Sequence, residues 1–538
     1  MSGDFDFFPF TPEDGVHDLG EGRFSLPPSL IARIAVRAFG DIAFYFSPRH
    51  VARLQAAFSD REASPNDRFV LSMLLRNARA ASGGKLPLCQ DTGIAAVFGF
   101  KESGVVVTPG EGAALSAAVR EVYAEKRLRF STVLASSFFE EYDPGDNLPA
   151  QVMIFSVDSP SGDSPPGAAG IFTGGPPRFW DPPAYRLLFS AKGGGSSNKT
   201  RLIQGTKALV NPASFRELLK EEIAAIGTAA CPPYTIAAVA GGLSPEENLL
   251  ALKLAASGWY DSLPFAPSPE APGAPFRDRE LEAFMMDCGR NTGLGAGAGG
   301  RAFAVDALAV RLPRHGASFP VSVGVACSAH RTATAIITRE GWWLERLLRD
   351  PPEWAPPPVP ASALRVNTEK GMQAALRSLS GAPAGSLVLV SGPLLVARDA
   401  AHSRWKALLD SGSPLPDYTR RYPILYAGPA GTPPGCVCGS IGPTTAGRMD
   451  SYGELLMSHG AGLVTLAKGN RSAAWEGVCK KYGGCYLGVP GGCAALIAQE
   501  NALSLETLDY PDLGMEAVRL LTVKDLPAFV MVGCGGKS

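Results

Sequence analysis

The chain has no long hydrophobic run: nowhere in its 538 residues do apolar side chains approach the ~18 in succession that a membrane-crossing helix needs. It also lacks a dominant charge, with Lys+Arg 50 against Asp+Glu 51, which removes the global field expected of a nucleic-acid or anionic-membrane binder. Any anionic ligand must then be met by local cations. The start, Met-Ser-Gly-Asp-Phe-Asp, is acidic where a signal or transit peptide would be basic, so a cytoplasmic location is the expectation. The ten cysteines show neither a disulfide framework nor the paired C-x-x-C spacing of structural zinc, which suits a reducing compartment and leaves metal or redox use open. No internal repeat and no P-loop spacing is present.

What is present is a long chain, 46% hydrophobic and 19% charged, with the size of a multidomain protein. Residues 27–81 carry apolar positions at three and four, which predicts packed helices, and 113–124 and 245–256 repeat the pattern. Strands are predicted at 104–108, 151–157, 185–190 and 386–391, with a strand pair around 311–316 and 321–327. Pro/Gly-rich stretches at about 158–183 and 264–275 are expected as loop insertions, and residues 350–361, with six prolines, as a linker. The expected organisation is an N-terminal extension (1–25), an α/β domain (26–349), the linker, and a second domain (362–538).

The chemistry gathers around residues 86–93, where Cys89, Gln90, Asp91 and Gly93 set a thiol, an amide, a carboxyl and a turn glycine side by side. Cys89 could ligate a metal once ionised, Gln90 could hold a polar group, and Asp91 could move or orient a proton. Residues 192–200 place three glycines after an apolar strand, where backbone N–H groups can cradle an anion. Cys231 precedes a proline pair, Cys327 ends a strand, and the three separated thiols suit an iron-sulfur cluster with one iron left open. Cys436 and Cys438 lack nearby partners, and Cys288, Cys479, Cys485, Cys493 and Cys534 fit small buried hydrophobes. Residues 442–450 are expected to open a helix, which sets the hydroxyl of Thr444 near a positive helix end.

Cys89-Gln90-Asp91-Thr92-Gly93, residues 192–200, Cys231-Pro232-Pro233-Tyr234, Pro313-Arg314-His315-Gly316-Ala317-Ser318, residues 442–450 and Lys468-Gly469-Asn470-Arg471-Ser472 together resemble, in this order, the class I iron-sulfur fumarate hydratases. The resemblance runs from about Phe24 to Val532. It implies a 4Fe-4S cluster on Cys89, Cys231 and Cys327, and substrate contacts at Gln90, Asp91, Arg129, Gly195, Asn198, Lys199, Thr200, Arg398, Thr444, Arg448 and Lys468. Proton transfer would fall among Thr444, Asp91 and His315. It further implies a homodimer whose α/β N-terminal domain meets a smaller, swivelling β/β/α C-terminal domain around the cluster, hydrating fumarate to (S)-malate. Arg grips carboxylates through two bonds, so a set of Arg and Lys suits a dicarboxylate that gains negative charge during reaction. Thr235, Gly297, Arg301 and His330 depart from the family pattern, which leaves tartrate or mesaconate as rival substrates and a non-catalytic paralogue as a rival of another kind.

Overall fold

The computed structural model describes residues 7–10, 15–158, 170–172, 174–176, 178 and 180–534. Much of the insertion expected at 158–183 and part of the extension at 1–25 lie outside the described residues. The periodic stretch at 27–81 becomes three helices, Pro28–Phe44, Pro48–Ser59 and Pro65–Ser82. Each has proline in its first turn, where a missing N–H costs nothing. Ser47 and Ser64 cap the second and third by accepting from the His50 and Asp67 N–H groups. The Asp67 side chain returns a bond to Ser64 N–H.

Two mixed sheets stack in the N-terminal part. The first runs in the order Phe7–Phe10, Gly341–Glu345, Thr332–Thr338, Tyr185–Lys192, Ile94–Glu102, Gln151–Val157. The second runs Arg201–Gly205, Phe319–Ala326, Tyr234–Gly242, Ala304–Arg314, Phe276–Arg277. Pro28–Phe44 and Glu111–Glu125 cover one face of the first sheet through Phe39, Val119 and Phe189. Phe98, Phe100 and Leu188 on its other face pack with Leu252 of the helix Pro245–Ala256 and with Val239 and Leu308 of the second sheet. Pro212–Ile226 and Arg279–Asn291 cover the far face of that second sheet.

One expectation is corrected here. Ala304–Arg314 and Phe319–Ala326, expected as a strand pair, do not bond to each other: Tyr234–Gly242 lies between them, parallel to the first and antiparallel to the second. That central strand is buried at all positions and needs a neighbour on each edge to satisfy its backbone. The connection 315–318 therefore arches over its end.

The smaller C-terminal part is a seven-stranded sheet with helices around it. Its strand Val518–Val532 bonds on one side to Leu387–Val396 and on the other to Cys485–Gly488 and Ala502–Asp509, so the sheet closes on itself. One apolar cluster runs across both parts, from Leu54, Phe69 and Leu74 to Val388, Trp405 and Phe529. Asn77, fully buried, donates to Leu88 O at 2.9 Å and accepts from Leu496 N–H at 3.0 Å. The segment that leads into Cys89 is thereby tied to both parts.

Candidate active site

The three thiols arrive on three separate segments. Cys231 precedes Tyr234–Gly242 and Cys327 follows Phe319–Ala326; because these strands are antiparallel with Thr235 opposite Ala326, the two cysteines share one end of the second sheet. Ser328 N–H donates to Cys231 O at 3.1 Å. Cys231 itself holds φ +64, a left-handed conformation costly for a residue with a Cβ. A side chain at Gly491 would run into its sulfur, so the C-terminal part presents bare backbone to this thiol.

Lys468 Nζ lies 2.7 Å from the Cys231 sulfur. Burial alone would lower the Lys468 pKa, but Cys231, Cys89 and Cys327 together raise it above its ordinary value. Burial pushes the Cys89 thiol up to about 12 against the pull of Arg331, and burial likewise raises Cys231 against the pull of Lys468. The three sulfurs and one ammonium thus share one field. Among the described residues no three His, Cys, Asp or Glu side chains stand close enough to share a single metal ion. A polynuclear cluster bonds its thiolates through several irons and needs no such convergence.

Asp91 accepts from Gly194 N–H at 2.9 Å and from the Ser131 hydroxyl at 3.4 Å. Burial would raise its pKa, but Arg129, Arg331, Lys468 and the Gly194 N–H outweigh burial and hold the carboxyl below the usual carboxylate range. Gln90 Nε2 donates to Pro443 O across the domain boundary at 3.2 Å. Lys468 Nζ would be only 3.8 Å from a Cβ on Gly195, so the glycine-rich turn approaches the ammonium closely.

A rim of guanidinium groups adjoins this set. Arg398, 4% exposed, pairs with Glu516 at 2.7 Å; burial and then Arg129 push its pKa down to about 10, opposed by Glu516. Arg448 grips Asp399 through bonds of 3.1 and 2.6 Å and donates to the Thr444 hydroxyl at 3.4 Å. Thr444 is not a helix cap. Its N–H donates to Tyr426 O at 2.7 Å and its carbonyl accepts from Lys468 N–H at 3.0 Å, while the following turn Ala446–Met449 starts at Thr445. Arg129 Nε and Arg398 Nε are buried without a hydrogen-bond partner.

The fold therefore gathers Cys89, Gln90, Asp91, Arg129, Gly195, Cys231, Cys327, Arg398, Thr444, Arg448 and Lys468. It does not bring His315 to them. His315 is exposed at the 315–318 turn, at the opposite end of Phe319–Ala326, roughly 25 Å away at strand rise. Asn198, Lys199 and Thr200 form the turn after the short helix Gly194–Ser197, with backbone N–H groups bonded inside it. Three neighbours escaped the sequence reading. Arg331, 4% exposed, acts on both Cys89 and Asp91; Lys192, whose pKa burial lowers, is pulled the other way by Cys327; and Cys493, fully buried as expected, feels Cys231 and Cys89. A cation four places after Cys327 was the available signal for Arg331.

The departures from the family pattern sit in structural roles. Thr235 is buried in the central strand, the Gly297 Cβ position faces Pro232 at 3.6 Å, and Arg301 pairs with Glu62 at 2.6 Å on the surface. His330 stacks on His50, ring centroids 5.6 Å apart, and bonds Ala256 O at 3.0 Å.

Comparison with known proteins agrees with this architecture. Residues 32–336 match the family described as fumarate hydratase (Fumerase), and residues 341–538 match the fumarase C-terminus. The chain belongs to the class I fumarate hydratase family and is a hydro-lyase. It is 43% identical over 517 residues to the anaerobic class I fumarate hydratase of Escherichia coli (strain K12), covering 95% of this chain and 90% of that one. Fumarate hydratase 2 of Leishmania major is 43% identical over 522 residues, 96% and 87% of the two chains. The putative L(+)-tartrate dehydratase subunit beta of Methanocaldococcus jannaschii is 33% identical over 162 residues, 29% of this chain and 81% of that one.

Proposed function

We propose that this chain interconverts fumarate and (S)-malate, with a 4Fe-4S cluster held by Cys89, Cys231 and Cys327. The observation that carries the reading is the pair of buried, unpartnered guanidinium atoms, Arg129 Nε and Arg398 Nε, on groups that feel each other and, through Arg129, Asp91 beside Cys89: buried donors of this kind call for an anion. The donor set also fits the cluster, with three thiols, a neutralising Lys468 and the bare backbone of Gly491 against Cys231. When bound, such a cluster supplies a Lewis-acidic iron that no protein thiolate occupies.

The chain's own residues supply the rest. Arg129, Arg398 and Arg448 hold the two carboxylates, and Glu516 and Asp399 fix the guanidinium planes from behind. Lys468 and these arginines stabilise the charge that builds up when the proton beside a carboxylate leaves, each donor being worth ~3 kcal/mol. Thr444 is the base we assign to that proton. Its backbone is pinned on both sides, and the Arg448 guanidinium that donates to its hydroxyl favours the alkoxide. Asp91, ionised and anchored to Gly194, orients the cations. If His315 takes part, a second copy of the chain must bring it, which agrees with a homodimer. The ten cysteines are all unpaired and among the described residues no helix is long and apolar enough to cross a membrane; a cytoplasmic, reducing location belongs to this reading.

Anaerobic reconstitution with iron and sulfide, followed by turnover on fumarate, mesaconate and tartrate, tests it. Fumarate should lead, with iron content and visible absorbance tracking activity and both decaying in air. Full activity after complete iron removal overturns the cluster, and preferred turnover of tartrate would favour the second reading that the tartrate dehydratase similarity allows.

A further inference from the structure

His402 ends the first turn of the helix Asp399–Asp410 and is fully buried. Its backbone N–H donates to Arg398 O at 3.0 Å, the ordinary helical bond at this position, and its ring Nδ1 bonds the same oxygen at 2.9 Å. A carbonyl only accepts, so Nδ1 carries the proton and Nε2 is left as an acceptor. Nε2 is buried and has no hydrogen-bond partner among the described residues. Burial lowers the pKa to about 4 against the pull of the Arg398 carbonyl and of Asp399, so the ring is neutral. The helix does not need a second bond at this carbonyl, and a buried nitrogen left unsatisfied destabilises the fold. An apolar residue would serve packing better.

The carbonyl that the ring holds belongs to Arg398, whose guanidinium pairs with Glu516. The other Glu516 oxygen accepts from Ala400 N–H at 2.8 Å, in the same helix, and a Cβ on Gly428 would stand 3.2 Å from Arg398 Nε, so backbone closes one side of the guanidinium. The ring also touches the other half of the site. Its centroid lies 5.1 Å from that of Tyr426, at 85°, and Tyr426 O accepts from Thr444 N–H at 2.7 Å. Tyr452, four residues after Arg448, stands 5.9 Å away on another side, and Trp405 lies at 4.9 Å. One imidazole thus meets the segments that carry Arg398, Thr444 and Arg448.

We propose that His402 is a positioning residue of the dicarboxylate site: its Nδ1–H fixes the Arg398 backbone and its ring seats Tyr426, so that the guanidinium holding a carboxylate and the hydroxyl taking the proton keep one separation. The inference rests on the roles assigned above to Arg398 and Thr444. The two contributions are separable. Arg398 holds a carboxylate in every bound state, so losing its position shows chiefly in KM, whereas Thr444 acts only in the transition state, so losing its position shows in kcat.

The test is made on the full-length reconstituted enzyme. His402→Phe keeps a ring and removes the donor; His402→Asn keeps a side-chain N–H and removes the ring; His402→Leu, close in shape to the Asn variant, removes both. Losing the donor, read as His402→Phe against the unaltered chain and as His402→Leu against His402→Asn, should raise KM for malate by ~10-fold or more with kcat within ~3-fold. The inhibition constant of succinate, which has the two carboxylates but neither alkene nor hydroxyl, should rise by the same factor. Losing the ring, read as His402→Asn against the unaltered chain, should lower kcat by ~10-fold with KM little changed. The visible absorbance of the cluster shows which pair is loaded and can be read. Equal KM within a loaded pair, losses of kcat and KM that only follow the melting temperature, or loss of the absorbance in all three variants overturns the positioning role and leaves the proposed reaction standing. An unaltered enzyme that turns over none of fumarate, mesaconate and tartrate overturns both.

Discussion

Residues 192–195 and 293–300 are both glycine-rich, and both bend around an aspartate of the N-terminal part, Asp91 half-buried and Asp67 fully buried. At the second loop, Asp67 accepts from four backbone N–H groups, those of Ser64 (3.2 Å), Ala296 (2.8 Å), Arg301 (2.7 Å) and Ala302 (3.3 Å). Its capacity is filled, its exposure is zero, and a side chain at Gly300 would collide with it. At the first loop, Asp91 receives one backbone N–H and one hydroxyl, and the rest of its charge faces Arg129, Arg331 and Lys468. A carboxylate saturated by backbone holds a fold together; one left partly unsatisfied among cations organises a site.

If that contrast is right, damage near the first loop shows as rate and damage at the second as stability. The largest effect is expected at Thr444, which is joined through its backbone to Lys468 beside the first loop. Thr444→Ala should cut malate dehydration by ~10² to 10⁴ with an unchanged melting temperature, since no cap is lost; near-normal turnover would transfer the role of base to Asp91 or His315. Asp67→Ala is the counterpart. It strands four backbone N–H groups, two of them buried, and should cost about 3 to 5 kcal/mol in denaturant unfolding, while turnover per folded, cluster-loaded molecule stays near normal. A folded but inactive Asp67→Ala enzyme would break the comparison.

Gly193→Ala is a finer probe. A Cβ there would stand 2.7 Å from Asp91 Oδ2, so the carboxylate must shift; steady-state kinetics should show a ~10-fold loss in kcat/KM with little change in melting. The mildest effect near neutrality is a pH slope. His50, bonded to Ser328 O at 2.8 Å, has its pKa lowered to about 3 by burial and by His330, and His330 is lowered to about 4 by burial and by Arg53, Arg49 and Lys192. Both folded values lie below the ordinary 6.5, so the stability of the neutral pair is complete above pH 6.5 and is lost as pH falls toward 4, at up to ~1.4 kcal/mol per pH unit for each ring. Hydrogen exchange at 327–331 should rise on acidification before it does at 293–302, and His50→Gln should flatten the slope; simultaneous loss of protection would show that the two regions open as one.

The sequence by itself determined the local units: helices over 27–81 from their periodicity, turns at the glycines, and a set of thiols, cations and a hydroxyl suited to a dicarboxylate, because propensity and side-chain chemistry are properties of neighbouring residues. Only the tertiary structure decided which of them meet. Nothing near Gly293 announces that its loop serves Asp67, more than two hundred positions earlier. Arg331 and Lys192 join the thiols, and His315 stands apart from them, because the whole length of Phe319–Ala326 separates its turn from Cys327. Strand order and register follow from burying apolar faces across long separations in sequence, and those choices set every distance on which the site's chemistry depends.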